Sequence, residues 1–185
     1  MVLTESGQQL AIGDKAPAFA LKGIDGKLHT LDEYRGKVLL IIFMCNHCPY
    51  VRQKFTTINE LAKRFSGDVA VVGINSNDAD AYPEDSYEAM QATAREEGFV
   101  FDYLYDATQE VARSYGATCT PDPFLFTADH RLAWHGRLDD ALQLHAKPTK
   151  QDMAEAIETV LAGRAVAKPF LPSIGCNIKW KTEHL

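Results

Sequence analysis

The 185-residue sequence has little cysteine, no long apolar run and no excess of basic charge, and each shortage removes a class of function. Four cysteines, at positions 45, 48, 119 and 176, are too few for a disulfide-stapled scaffold. The longest apolar run, VLLIIFMC at 38–45, is eight residues, far short of the ~20 that a membrane-spanning helix needs. Lys and Arg number 19 against 25 Asp and Glu, a net charge of −6. Neither nucleic acid nor an anionic membrane is therefore expected as a partner, since both are held through basic patches. The opening MVLTESGQQLAIGDKAP lacks a basic stretch followed by an apolar one, so no secretory signal is read and a cytoplasmic location is expected. Repeats and low-complexity tracts are also missing, and the length suits one compact domain over residues 1–185.

What is present is a β/α alternation. Residues 18–21 and 27–30 flank Gly23-Ile24-Asp25-Gly26, the turn chemistry of a hairpin. The apolar, β-branched stretch 38–44 reads as a strand buried on both faces and hence a central parallel one. A helical stripe of Val51, Phe55, Ile58, Leu61, Ala62 and Phe65 follows, and 69–74 is a second buried strand. Pro83 starts a helix over 84–97, 101–105 is a short strand and 109–115 a short helix stopped by Gly116. Residues 123–126 and 132–135 form an antiparallel hairpin. A last helix covers 149–161, with Thr149 as its cap and Asp152 completing a capping box. The apolar tail 164–185 is expected to pack back on the domain. The class is α/β.

The chemistry centres on Cys45-Asn46-His47-Cys48, at the handover from the first buried strand to a helix. Unpaired backbone N–H groups at a helix start stabilise a thiolate and lower a cysteine pKa from about 8.5 toward 3.5–7.5. Pro49, tolerated in a helix's first turn, puts the helix start near Cys45 and Asn46 and makes Cys45 the expected thiolate, with His47 as an added donor. Cys48, one turn on, would then resolve a mixed disulfide. A zinc site would need two more ligands, whereas the other thiols are isolated at 119 and 176, so no metal is expected. Haem attachment needs a histidine where Pro49 stands. A second element, Thr118-Cys119-Thr120-Pro121-Asp122, precedes the apolar strand at 123–126; an ordinary trans proline is the reading from residues alone.

Together these elements resemble the thioredoxin superfamily. GDKAPAFALKGIDGKLHTLDEYRGKVLLIIF is similar to the opening of its redoxin and alkyl-hydroperoxide-reductase (AhpC/TSA) branch. CNHCPYV, ATCTPDPFLF and SIGCNIKWK resemble the peroxiredoxin-like subgroup that carries a thioredoxin-type CxxC. The resemblance implies a thioredoxin-like fold: a central mixed sheet flanked by helices, an N-terminal hairpin extension and a helical insertion. It implies Cys45 as attacking thiol, Cys48 as resolving thiol and Pro121 as a cis-proline facing them, with Thr120 presenting its backbone to a bound substrate chain. By position Cys48 also corresponds to the peroxidatic cysteine of peroxiredoxins. However, Cys45 and Ile41 stand where those enzymes carry Thr or Ser and Pro, and Pro121 where they carry an arginine, so the groups that would hold a peroxide are lacking.

The expected function is thus thiol–disulfide exchange without a bound cofactor, on a disulfide-containing protein or small thiol compound, with an unnamed reductant restoring the dithiol. The alternatives are a thiol peroxidase using Cys48 and a redox-sensing or zinc-binding module. Asn46 and His47 are expected to support the site, and Cys119 and Cys176 are candidate additional redox thiols. His29, His130, His135, His145 and His184 read as ordinary surface or packed histidines, and Asp78, Asp80, Glu84 and Asp85 as a solvated acidic loop.

Overall fold

The structure, a computed structural model, describes residues 3–182, so His184 lies outside the described residues. Its centre is β4 (Val38–Phe43), every residue of which is buried. In sequence order the strands are β1 (Leu3–Glu5), β2 (Ala20–Gly23), β3 (Leu28–Thr30), β4, β5 (Val69–Asn75) and β6 (Asp102–Tyr105). They continue with β7 (Cys119–Thr120), β8 (Asp122–Phe126), β9 (Leu132–Gly136), β10 (Phe170–Leu171) and β11 (Ile174–Asn177). Eight form one mixed sheet in the order β10-β9-β8-β4-β5-β6-β2-β3, and β1-β11-β7 form a small second sheet. β4 runs parallel to β5 but antiparallel to β8, so it is central without being parallel on both sides.

The alternation of β4 builds two cores. Leu40 and Ile42 face Phe55, Ile58 and Leu61 of α2 (Phe55–Arg64) and Met153 and Ile157 of α5 (Asp152–Leu161). Leu39, Ile41 and Phe43 face Tyr115 of α4 (Glu110–Tyr115) and Phe19 and Leu31 of the N-terminal segment. At about 1.5–3 kcal/mol for each fully buried aliphatic side chain, this one strand is a major source of stability. No helix among the described residues is long and apolar enough to cross a membrane.

Three local expectations need correction. The helix after the CxxC is broken into α1 (Pro49–Arg52) and α2, and its N-cap is Cys48 rather than a residue near Cys45. Pro49 is compatible with either start; it occupies the first helical position, the one best suited to a residue without N–H. The helix expected at 84–97 opens with a 3-10 turn at Pro83–Asp85, and α3 (Tyr87–Glu96) starts one turn later, capped by the Ser86 hydroxyl, which accepts from Ala89 N–H at 3.2 Å. α5 begins at Asp152 without a side-chain cap. Thr149 is drawn away by Asp140, whose carboxylate accepts from the Thr149 and Lys150 N–H groups at 2.7 and 3.0 Å.

The tail packs on the domain twice. β10 adds to β9, and β11 lies between β1 and β7. Ser6 fastens the second sheet: its N–H donates to Ser173 O and its hydroxyl accepts from Ser173 N–H, each at 3.0 Å.

Candidate active site

Cys45 sits two residues beyond the end of β4 and Cys48 caps α1, so a strand end and a helix start hold the two thiols against each other. Both are fully buried, and all four cysteines are free thiols. The Thr120–Pro121 peptide is cis and lies across them. Cys45 Sγ is 3.6 Å from Thr120 Oγ1, and Cys48 Sγ is 3.6 Å from the Thr120 carbonyl oxygen. Asn46, His47, Thr120 and Pro121 are therefore brought to the dithiol.

The two thiols differ in what surrounds them. Cys48 accepts a hydrogen bond from Cys45, and behind that come the side chain and backbone of Cys176 and the backbone N–H of Val51. Against the cost of burial these pull Cys48 down to about 5. Cys45, donating to Cys48, buried and next to the Asp85 carboxylate, is pushed well above the ordinary thiol range. This reverses the sequence expectation. Cys45 and Cys176 converge on Cys48, with the Val51 N–H of α1 adding the least, and Cys45 is left beside an anion. One proton shared between two neighbouring sulfurs goes to the one that is more costly to charge.

Asp85 is the residue the sequence reading missed. Expected in a solvated acidic loop, it is wholly buried. Its carboxylate accepts from Asn46 N–H at 2.7 Å, from Asn77 Nδ2 at 2.7 Å and from His47 Nδ1 at 2.5 Å. Its carbonyl accepts from Asn75 Nδ2 at 3.1 Å. Of these donors only the Asn77 amide and the His47 ring are side chains on the carboxylate, and neither marks a buried anion in the sequence. His47 stacks on Tyr82 with ring centroids 5.6 Å apart, and its bond to Asp85 raises its pKa. Asn46 is held by Tyr103, whose hydroxyl donates to Asn46 Oδ1 at 2.9 Å.

Ligand atoms of Cys45, His47 and Asp85 lie within 4.8 Å of one another, a grouping with the donor types of a metal site. The Asp85 carboxylate is already filled by three donors, and His47 Nδ1 is one of them. A metal would have to displace those bonds, so the set fits an orienting His–Asp pair better than a cation cradle.

The remaining thiols separate. Cys176, on β11, faces Cys48 and joins the same buried cluster as Cys45 and Cys48. Cys119 is buried on β7, 3.7 Å from the Pro121 carbonyl and 3.9 Å from Ser6 Oγ. The Thr120 backbone, expected to receive a substrate chain, is already paired with Cys176. His135, read as ordinary, is 2% exposed and bonded to the buried Asp122 at 2.7 Å.

A sequence model of the AhpC/TSA family matches residues 12–135. Thiol-disulfide oxidoreductase ResA of Geobacillus thermodenitrificans is 24% identical over 152 residues, covering 82% of this chain and 79% of that protein. The crystal structure of an uncharacterized conserved protein from Geobacillus kaustophilus superposes with a TM-score of 0.93 at 41% identity, over 99% of this chain and 98% of that one. That of a putative thiol:disulfide interchange protein DsbE from Chlorobium tepidum gives a TM-score of 0.65 at 23% identity, over 84% and 98% of the two chains. The latter identifies the fold as thioredoxin-like.

Proposed function

The chain belongs to the AhpC/TSA family, and we propose that Cys48 is the attacking thiolate and Cys45 the resolving thiol of its active site. The enzyme activity is thiol–disulfide oxidoreduction, as in the ResA proteins to which the chain is similar. The observation that carries the assignment of roles is the difference in surroundings: Cys45 and Cys176 converge on Cys48, whereas Cys45 lies beside the Asp85 carboxylate.

Cys48 thiolate attacks one sulfur of a substrate disulfide, a Cys48 mixed disulfide forms, and the first substrate thiolate leaves and takes up a proton. Neutralising the Cys48 charge removes the anion that held the proton on Cys45. That proton goes to the second substrate thiolate as it leaves, and the His47–Asp85 pair, with donor atoms within 4.8 Å of the Cys45 sulfur, stands beside it. Cys45 then attacks the Cys48 sulfur, the second substrate thiol leaves, and the Cys45/Cys48 disulfide remains for an external dithiol to reduce. Disulfide-bearing proteins or small disulfides are the substrate class. The Arg52 guanidinium, one turn beyond Cys48, is engaged by the Asn46 carbonyl at 3.1 Å and by Glu97 at 3.6 Å, which favours exchange over peroxide reduction.

The test is a single addition of a chromogenic aromatic disulfide to reduced variants. Cys45→Ser releases coloured thiol and its Cys48 is consumed, whereas Cys48→Ser releases none at a comparable rate. Modification at Cys45 in Cys48→Ser, with no reaction of Cys48 in Cys45→Ser, overturns the assignment.

A further inference from the structure

A sheet edge beside a reactive thiol is where an extended disulfide-bearing segment can be held by backbone hydrogen bonds, with its sulfur delivered at a fixed register. β7 is such an edge: Thr120 lies within 3.6 Å of both Cys45 and Cys48 sulfurs. That edge is occupied by the chain itself. β11 pairs antiparallel with β7, placing Cys176 opposite Thr120 and Asn177 opposite Cys119. Ile178 N–H continues the pairing by donating to Thr118 O at 3.2 Å.

The approach is closer than ordinary strand packing. A Cβ on Gly175 would lie 1.9 Å from Thr120 O and 2.6 Å from Thr120 C, so no other residue fits there without moving the strand. The space left beside Tyr50, Pro121 and Ile174 is a cavity of about 10 Å³, room for about one water. The side chain that this register turns toward α1 is Cys176, 2% exposed and packed with Cys45 and Cys48.

We infer that β11 is a built-in occupant of the substrate-strand edge and that Cys176 is a third redox thiol, able to close a disulfide with Cys48 in competition with Cys45. The inference rests on Cys48 being the attacking thiol. The chemistry balances as ordinary exchange. Cys48 carries a mixed disulfide with a substrate thiol; Cys176 gives up its proton and attacks the Cys48 sulfur; the substrate thiol leaves with a proton; a Cys48/Cys176 disulfide remains. Two thiols are oxidised and one disulfide becomes two thiols. In the dithiol state the same strand shields Cys48 from extended polypeptides, so a small disulfide that needs no strand pairing is the substrate class that reaches Cys48 with β11 in place.

The experiment adds one equivalent of the aromatic disulfide to reduced Cys45→Ser, counts the thiol released, and maps disulfide-linked peptides by mass spectrometry. Two equivalents released, with a Cys48/Cys176 linked peptide, is the expected result, and Cys45→Ser/Cys176→Ser then releases one. One equivalent from Cys45→Ser, with the aryl group retained on Cys48 and Cys176 free to alkylate, overturns the inference and leaves the reading of Cys48 intact. No release from Cys45→Ser overturns that reading instead. Cys45→Ala serves as the second variant if the serine perturbs folding, with the same outcomes read in the same way.

Discussion

Cys48 and Cys119 lie on either side of one short strand, equally buried and both near backbone carbonyls of the Thr120-Pro121 segment, yet their chemistry is opposite. Burial raises a thiol's pKa because the anion loses water, and at Cys119 nothing offsets it: the Asp122 charge adds to the rise, and donation from Ser6 and Thr118 is too little to counter it. At Cys48 the same loss of water is outweighed by Cys45, Cys176 and the Val51 N–H, and the pKa falls to about 5. Reactivity in this molecule is therefore a matter of how many donors converge on a sulfur, and burial alone does not predict it.

The largest expected effect comes from deleting the donor-rich thiol. Cys48→Ser brings disulfide exchange to background, measured with a small disulfide under steady reductant. Replacing the anion behind Cys45 comes next. Asp85→Asn removes one partner of a buried pair and is expected to cost roughly 3 kcal/mol in chemical denaturation. Part of that cost is pH-dependent. His47 has a raised pKa in the folded protein, so its contribution is fully present below its unfolded value of about 6.5 and is lost as pH rises through the higher folded value. The gap between wild type and Asp85→Asn should accordingly be wider at acidic than at alkaline pH; an equal gap at both counts against the His47–Asp85 pair. Gly175→Ala should cost about 1–3 kcal/mol, since the new methyl meets Thr120 backbone, and a neutral result would mean that β11 is not pressed against β7. The smallest effect belongs to the donor-poor thiol: Cys119→Ala should keep exchange rates within about twofold, because this sulfur faces away from the dithiol. A tenfold loss there would erase the contrast.

Much of this was legible in the sequence, and the exceptions share a cause. The unbroken apolar stretch of β4 and β5, the hairpin signals and the CxxC at a strand–helix junction depend on short-range pattern, and the structure has them. The helix start was not legible, because Pro49 suits the first turn whether the cap is Cys48 or a residue before it. Asp85 looked like its acidic neighbours; what buries it are asparagines 39, 10 and 8 residues away in sequence, at 46, 75 and 77. Cys176 was legible as a candidate redox thiol in an apolar tail, but only the pairing of β11 with β7 sets it beside Cys48. Local periodicity has no access to contacts of that range.

The most direct measurement of the central claim is a pH titration of thiolate ultraviolet absorbance in the reduced wild type, Cys45→Ser and Cys48→Ser. Absorbance needs no reagent to enter a buried site. A thiolate that titrates near pH 5 in wild type, persists in Cys45→Ser, where the serine hydroxyl still donates, and vanishes in Cys48→Ser is the predicted result. Persistence in Cys48→Ser with loss in Cys45→Ser would place the charge on the other sulfur and contradict the account.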